Sequence, residues 1–119
     1  MAHPDLTDLQ QRLRQFADAR DWDQFHAPKN LASALIVEAG ELLEHFQWLN
    51  ENESQQLPAD KLEEVALELA DVFIYTLRLA DKLDVDLLDY VDRKIEINDK
   101  KYPADKVRGS HRKYTEYSD

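Results

Sequence analysis

The sequence contains no cysteine, which excludes disulfides, thiolate metal sites and cysteine nucleophiles together. With only 2 glycines and 4 prolines in 119 residues, turn-rich β architectures have little to build with, and a helical chain is favoured. No hydrophobic run approaches the ~20 residues of a membrane span, and the first ten residues lack the apolar centre of a signal peptide. Positive charge is also scarce: 15 Lys and Arg stand against 25 Asp and Glu, a formal net charge of −10. That balance repels nucleic acid and anionic membrane surfaces, so neither is expected as a partner, and without a signal peptide or span the expected default is a soluble cytoplasmic protein. An anionic small-molecule substrate would have to arrive with a cation. The length suits one domain, burying roughly two thirds of the surface its unfolded chain exposes, and no internal repeat is visible.

What is present is acid in the wrong place. Leu31, Leu35, Glu38, Leu42, His45 and Leu49 recur at alternating four- and three-residue steps, so Glu38 interrupts the core-facing stripe of a helix, with Glu41 one turn further along the same side. Glu68 and Asp71 repeat the same spacing inside a second apolar helical run, from Val65 to Leu79. Glu41 precedes the connecting loop by nine residues and Glu68 follows it by eight, so both lie about 12–14 Å from it and stand level in an antiparallel hairpin. Two facing carboxylate pairs need a countercharge, most economically a divalent cation, and all-oxygen donors select magnesium, manganese or calcium.

The periodicity predicts helices over 8–19, 30–49, 61–83 and 87–101, with Thr7 and Gln10 as a capping box for the first and Asn30 as cap for the second. The segment 20–30 is an aperiodic loop carrying Trp22, Phe25 and His26. Its aromatics either cap the core or line a flat pocket. Trp48 follows Glu41 by seven residues, which in a continuous helix puts it on the acids' side, as core, subunit contact or stacking surface. The stretch 50–60 reads as a connecting loop. The third helix is apolar on most sides apart from the stripe Glu64, Glu68, Asp71 and Tyr75, more than a small monomer can cover, so a homo-oligomer is expected. In the fourth helix Leu88, Val91 and Ile95 are expected to face inward, while Lys94, Asn98 and Lys101 share a side suited to phosphate oxygens or simply to solvent. Residues 1–103 form the domain; 104–119, with Tyr114 and Tyr117, read as a polar tail that orders only over a ligand or a neighbouring subunit.

The pair Glu38-x-x-Glu41 followed by Glu68-x-x-Asp71 resembles the signature of the MazG-like all-α nucleoside triphosphate pyrophosphohydrolases. Trp22-Asp23-x-Phe25-His26-x-Pro28-Lys29-Asn30-Leu31, Phe46-Gln47-Trp48, Glu68-Leu69-x-Asp71-Val72 and Lys101-Tyr102-Pro103 are similar to the dCTP pyrophosphatase branch, as are Arg108-Gly109-Ser110 and Lys113-Tyr114-Thr115. The resemblance implies an all-α four-helix MazG-like bundle completed by oligomerisation, as dimer or tetramer with shared active sites. It also implies hydrolysis of a deoxynucleoside triphosphate to the monophosphate and pyrophosphate, in nucleotide-pool house-cleaning. On this basis Glu38, Glu41, Glu68 and Asp71 hold Mg2+ (or Mn2+), Lys94, Asn98, Lys101 and Tyr102 contact phosphates, and Trp22, His26, Trp48 and Tyr75 surround base and sugar. Leu13 and Arg14 depart from the pattern, standing where a polar base contact is expected.

Either Glu38 or Glu41 is positioned as the general base for an attacking water. A ferritin-like di-iron centre is excluded because no histidine follows a glutamate by three residues. Two alternatives stay open: the same fold and metal acting on dUTP, dATP or a phosphoribosyl-nucleotide, and a noncatalytic helical interaction module.

Overall fold

The structure, a computed structural model, describes residues 3–109. Among these every regular element is helical, in the order α1 (Leu6–Ala19), a 3-10 turn (Asp23–Phe25), α2 (Pro28–Glu44), α3 (Glu51–Ser54), α4 (Ala59–Lys82), α5 (Leu87–Lys101) and α6 (Ala104–Val107). The chain divides into two compact units, Met1–Val85 and Asp86–Asp119.

In the first unit α4 packs against α2 and against α1, and α1 also touches the 3-10 turn. The contacts run antiparallel: His45 reaches Glu64 at 3.9 Å near the connection, while Glu38 meets Glu68 further from it. The stripe on α2 behaves as its periodicity requires. Leu31 is only 1% exposed, and Leu35, Glu38, Leu42, His45 and Leu49 are each half-buried. Ala17, Leu31, Val65, Leu77 and Ala80 form the buried apolar core. Many large apolar side chains remain exposed on the same two helices, including Ile36, Val37 and Leu43 on α2 and Leu62, Leu67, Leu69 and Phe73 on α4.

Helix starts differ from expectation where a better cap lies nearby. Asp5 caps α1, accepting from the Asp8 backbone N–H at 2.8 Å, so the helix begins at Leu6 and Thr7 is already inside it. Pro28 opens α2 because its fixed φ suits the first helical position, where its missing N–H costs nothing; Asn30 instead donates to the Phe25 carbonyl at 3.0 Å. The connection contains the short helix α3, made by a reciprocal capping box in which Asn50 accepts from the Glu53 N–H and Glu53 accepts from the Asn50 N–H.

The helix α2 ends at Glu44, five residues sooner than the periodicity predicts. The following backbone bonds, His45 to Leu42, Phe46 to Leu43 and Leu49 to Phe46, span three residues rather than four, so the helical register does not carry through to Trp48. Both α1 and α4 stop on Schellman turns with an aspartate in the left-handed position: Asp21 (φ 54°) with Trp22 N–H to Ala17 O, and Asp84 (φ 55°) with Val85 N–H to Ala80 O.

In the second unit α5 keeps its predicted bounds, capped by Asp86 accepting from the Asp89 N–H at 3.2 Å. Leu88, Val91 and Ile95 do not face a core: all three are exposed, and α6, with four residues, is too short to cover them. The region expected to be wholly irregular after Pro103 therefore contains one helical turn; Tyr114 and Tyr117 lie outside the described residues.

Leu77 is 1% exposed at the centre of the first unit. Leu77→Ala is expected to lower unfolding free energy by about 2–5 kcal/mol in chemical denaturation, and a loss below about 1 kcal/mol would contradict the core assigned here.

Candidate functional site

The hairpin of α2 and α4 brings the acids together as the level-pair argument requires. One carboxylate oxygen from each of Glu38, Glu41 and Glu68 lies within 4.8 Å of the others. Glu38 and Glu68 are half-buried and Glu41 is exposed. Asp71 stands one turn beyond Glu68 and is not among the three converging oxygens, but its charge acts on Glu38 and it lines the same cleft.

Two cavities meet this carboxylate group. One, about 370 Å³, is walled by Leu13, Phe16, Trp22, His26, Tyr75 and Arg78, with Glu38 and Asp71 at its acidic end. The other, about 480 Å³, carries Glu41 and Glu68 together with Glu44, His45, Gln47 and Lys61. A wider depression of about 590 Å³ beside the α2–α4 connection contains none of the predicted site residues. Three of the four residues assigned to base and sugar, Trp22, His26 and Tyr75, therefore share one cleft with Glu38 and Asp71. Trp48 does not join them; it is 86% exposed on the turn after α2, for the register reason given above. Lys94, Asn98 and Lys101 lie at steps of four and three along α5, and Tyr102 is its C-cap, all in the second unit.

The sequence reading missed Arg78. It is 4% exposed, donates through Nη2 to Asp23 Oδ1 at 3.0 Å and His26 Nδ1 at 3.1 Å, and lies 3.6 Å from Asp81. Asp23 also pairs with Lys82 at 2.6 Å, and Asp81 with Arg14, whose Nε donates to it at 2.7 Å. A charged residue inside the apolar run of α4 was the available signal, the same signal that singled out Glu38.

Electrostatically the carboxylate group is strained without a counterion. Glu68 is pushed up to about 8, first by the hydrogen bond it donates to Glu38, then by burial and by Glu41. The bond from Glu68 favours the charged form of Glu38, but burial together with Glu41 and Asp71 outweighs it and raises Glu38 as well. One Glu38 oxygen, Oε2, is buried without a hydrogen-bond partner among the described residues. An orphaned carboxylate oxygen beside two others, all hard donors, fits a divalent cation bound at Glu38, Glu41 and Glu68.

The chain resembles known proteins along most of its length. The model of the MazG-like family matches residues 34–117. The Homo sapiens protein dCTP pyrophosphatase 1 is 46% identical over 115 residues, covering 95% of this chain and 68% of that protein; the Bos taurus protein of the same name is 42% identical over 117 residues, covering 97% and 69%. A solved pyrophosphatase from Archaeoglobus fulgidus superposes with a TM-score of 0.79 at 40% identity, covering 87% of this chain and 96% of that one.

The raised Glu68 gives a signed pH dependence. Its proton-linked contribution to stability is complete below 4.5 and is lost as pH rises toward about 8. Asp23, held low by Lys82 and Arg78, and Asp81, held low by Arg14, act in the opposite sense, but only below the ordinary aspartate value of 3.8. His26, held below 6.5, also acts in the opposite sense and does so equally with or without Glu68, so from about pH 5 to about pH 8 metal-free wild type is expected to lose more melting temperature than metal-free Glu68→Gln. Equal slopes for the two proteins in the presence of chelator would contradict the arrangement.

Proposed function

The chain belongs to the MazG-like family, and on that premise we propose that it is a nucleoside triphosphate pyrophosphohydrolase, cleaving a deoxynucleoside triphosphate of the dCTP type to the monophosphate and pyrophosphate. The observation that carries the reading is the convergence of Glu38, Glu41 and Glu68, of which Glu38 also stands, with Asp71, at the acidic end of a cleft walled by Trp22, His26 and Tyr75. A flat aromatic-lined recess beside a hard-cation site matches a substrate with a ring at one end and a polyphosphate at the other.

Glu38, Glu41 and Glu68, with Asp71 one turn away, are the residues that would hold the cation. Bound there, magnesium supplies charge neutralisation and orientation of the triphosphate. Trp22 and Tyr75 offer faces to the base, and the cleft's apolar side, Leu13 and Phe16, excludes water from the ring. A carboxylate of Glu38 or Glu41 takes the proton of the attacking water as its oxygen bonds to phosphorus and the bridging oxygen departs with the leaving group. Lys94, Asn98, Lys101 and Tyr102 are assigned to phosphate contacts by resemblance and by chemistry, Lys94 and Lys101 supplying charge and Asn98 and Tyr102 hydrogen-bond donors.

A homo-oligomer is part of the proposal. Ile36, Val37 and Leu43 on α2 and Leu67, Leu69 and Phe73 on α4 are apolar groups left in water by a single copy. Trp48, exposed on the turn, is a stacking surface that such an assembly would bring to the base. Residues 1–103 form the hydrolase domain in this reading, in a protein of the cytoplasm.

Pyrophosphate release across a panel of common and methylated deoxynucleoside triphosphates, dUTP and dATP included, is expected to favour dCTP-type substrates and to vanish without divalent metal. No release with any nucleotide or metal would leave the interaction-module reading in its place. Glu41→Gln and Asp71→Asn are each expected to lower kcat at least ~100-fold with helical content unchanged; near wild-type rates for both would remove the metal assignment. Trp48→Ala is expected to raise KM more than it lowers kcat, and the opposite split would assign Trp48 to positioning the chemistry. Sedimentation is expected to give a multiple of the 13.9 kDa chain mass, and a monomer would overturn the assembly.

A further inference from the structure

Arginine donates hydrogen bonds and never accepts them, so the 3.1 Å contact between Arg78 Nη2 and His26 Nδ1 has one chemical solution. Nδ1 of His26 is the acceptor, and the ring proton sits on Nε2. The arginine is itself fixed: it is 4% exposed, bonded to Asp23 and close to Asp81, and has no freedom to swing away into solvent. Its positive charge also opposes protonation of the imidazole. Burial first, then Arg78, hold His26 below its ordinary value, against the smaller opposing effect of Asp23.

His26 lines the aromatic cleft, and no described residue hydrogen-bonds its Nε2. We propose that Arg78 is a positioning residue of the nucleoside pocket: it locks His26 as the neutral Nε2–H tautomer, so the cleft presents one fixed donor to a hydrogen-bond acceptor on the bound base or sugar. A pyrimidine carbonyl or ring nitrogen meets that requirement; an amino group at the same place is rejected, because two donors would face each other. This role presupposes the nucleotide bound as above. It also gives the pocket a polar contact despite Leu13, which lines the same cleft and supplies none.

A purely structural role for Arg78, anchoring the loop to α4, is separable because Lys82 holds Asp23 independently at 2.6 Å. The experiment is long-range proton–nitrogen NMR of the His26 ring in the full chain, with pyrophosphate release by wild type, Arg78→Met and Arg78→Lys. Wild-type His26 is expected in the Nε2–H form. Arg78→Met should give mixed tautomers and a KM about three- to tenfold higher, with kcat within about twofold of wild type. Arg78→Lys keeps a cationic donor and should recover most of the lost affinity. A wild-type ring protonated on Nδ1, or an unchanged KM in Arg78→Met, overturns the proposal. Should the methionine variant unfold, the wild-type tautomer and the lysine variant still decide it. Absence of all hydrolysis in wild type overturns the activity instead, and the ring tautomer, read without turnover, tells the two failures apart.

Discussion

The constraint on which the first unit depends is the approach of three carboxylates, one oxygen from each within 4.8 Å, across the contact of α2 with α4. Like charges at that distance oppose the packing that brings them there. Leu31, Leu35 and Leu42 on α2, with Val65 and Leu77 on α4, hold the helices against it. Part of the residual repulsion is removed by a proton on Glu68, which is why that group titrates near 8. A divalent cation held by Glu38, Glu41 and Glu68 would remove it more completely and let every carboxylate stay ionised. The local strain and the capacity for metal are therefore one property, and an apolar residue at Glu38 would relieve the first only by abolishing the second.

The polar side of the cleft is held by a second charge arrangement of the opposite design. Arg14, Asp81, Arg78, Asp23 and Lys82 alternate in sign and tie α1, α4 and the loop after α1 together. Where the carboxylate group stores repulsion for a ligand to relieve, every charge in this network already faces an opposite one within the protein. It fixes Trp22 and His26, which sit in a segment without helical bonding of its own beyond one 3-10 turn. Phe16 meets Trp22 edge-to-face with centroids 5.7 Å apart, so the cleft wall is anchored by an aromatic contact as well as by ions.

Much of this was legible in the sequence because it follows from helical period. The stripe from Leu31 to Leu49, the level placement of Glu41 and Glu68, and the bounds of α5 all come from counting. What counting missed has specific physical causes. Trp48 was carried along a helix that stops at Glu44, since periodicity does not see a switch to three-residue bonding. Asn50-x-x-Glu53 is a capping-box signal, and it nucleates a helical turn inside a stretch whose polar, aperiodic composition otherwise specifies loop. Leu88, Val91 and Ile95 have the spacing of an inward face, but spacing says which residues share a side, not what covers it. Arg78 obeyed the rule that exposed Glu38, a charge where the pattern demands an apolar group, yet an arginine's long apolar stem makes that rule easier to overlook.

The two left-handed aspartates bear on how this protein can adapt. A chain with 2 glycines ends α1 and α4 on residues with a Cβ, and it chose side chains whose negative charge lies at the negative ends of the helix dipoles. Neither Asp21 nor Asp84 lines the aromatic cleft. Each position therefore holds two opposed effects: glycine there removes the steric penalty and the clash with the helix dipole, and it also removes the bond that Asp21 accepts from Gln24 at 3.0 Å or the attraction of Asp84 for Arg14, so heat tolerance can be raised at these helix ends only in step with those partners.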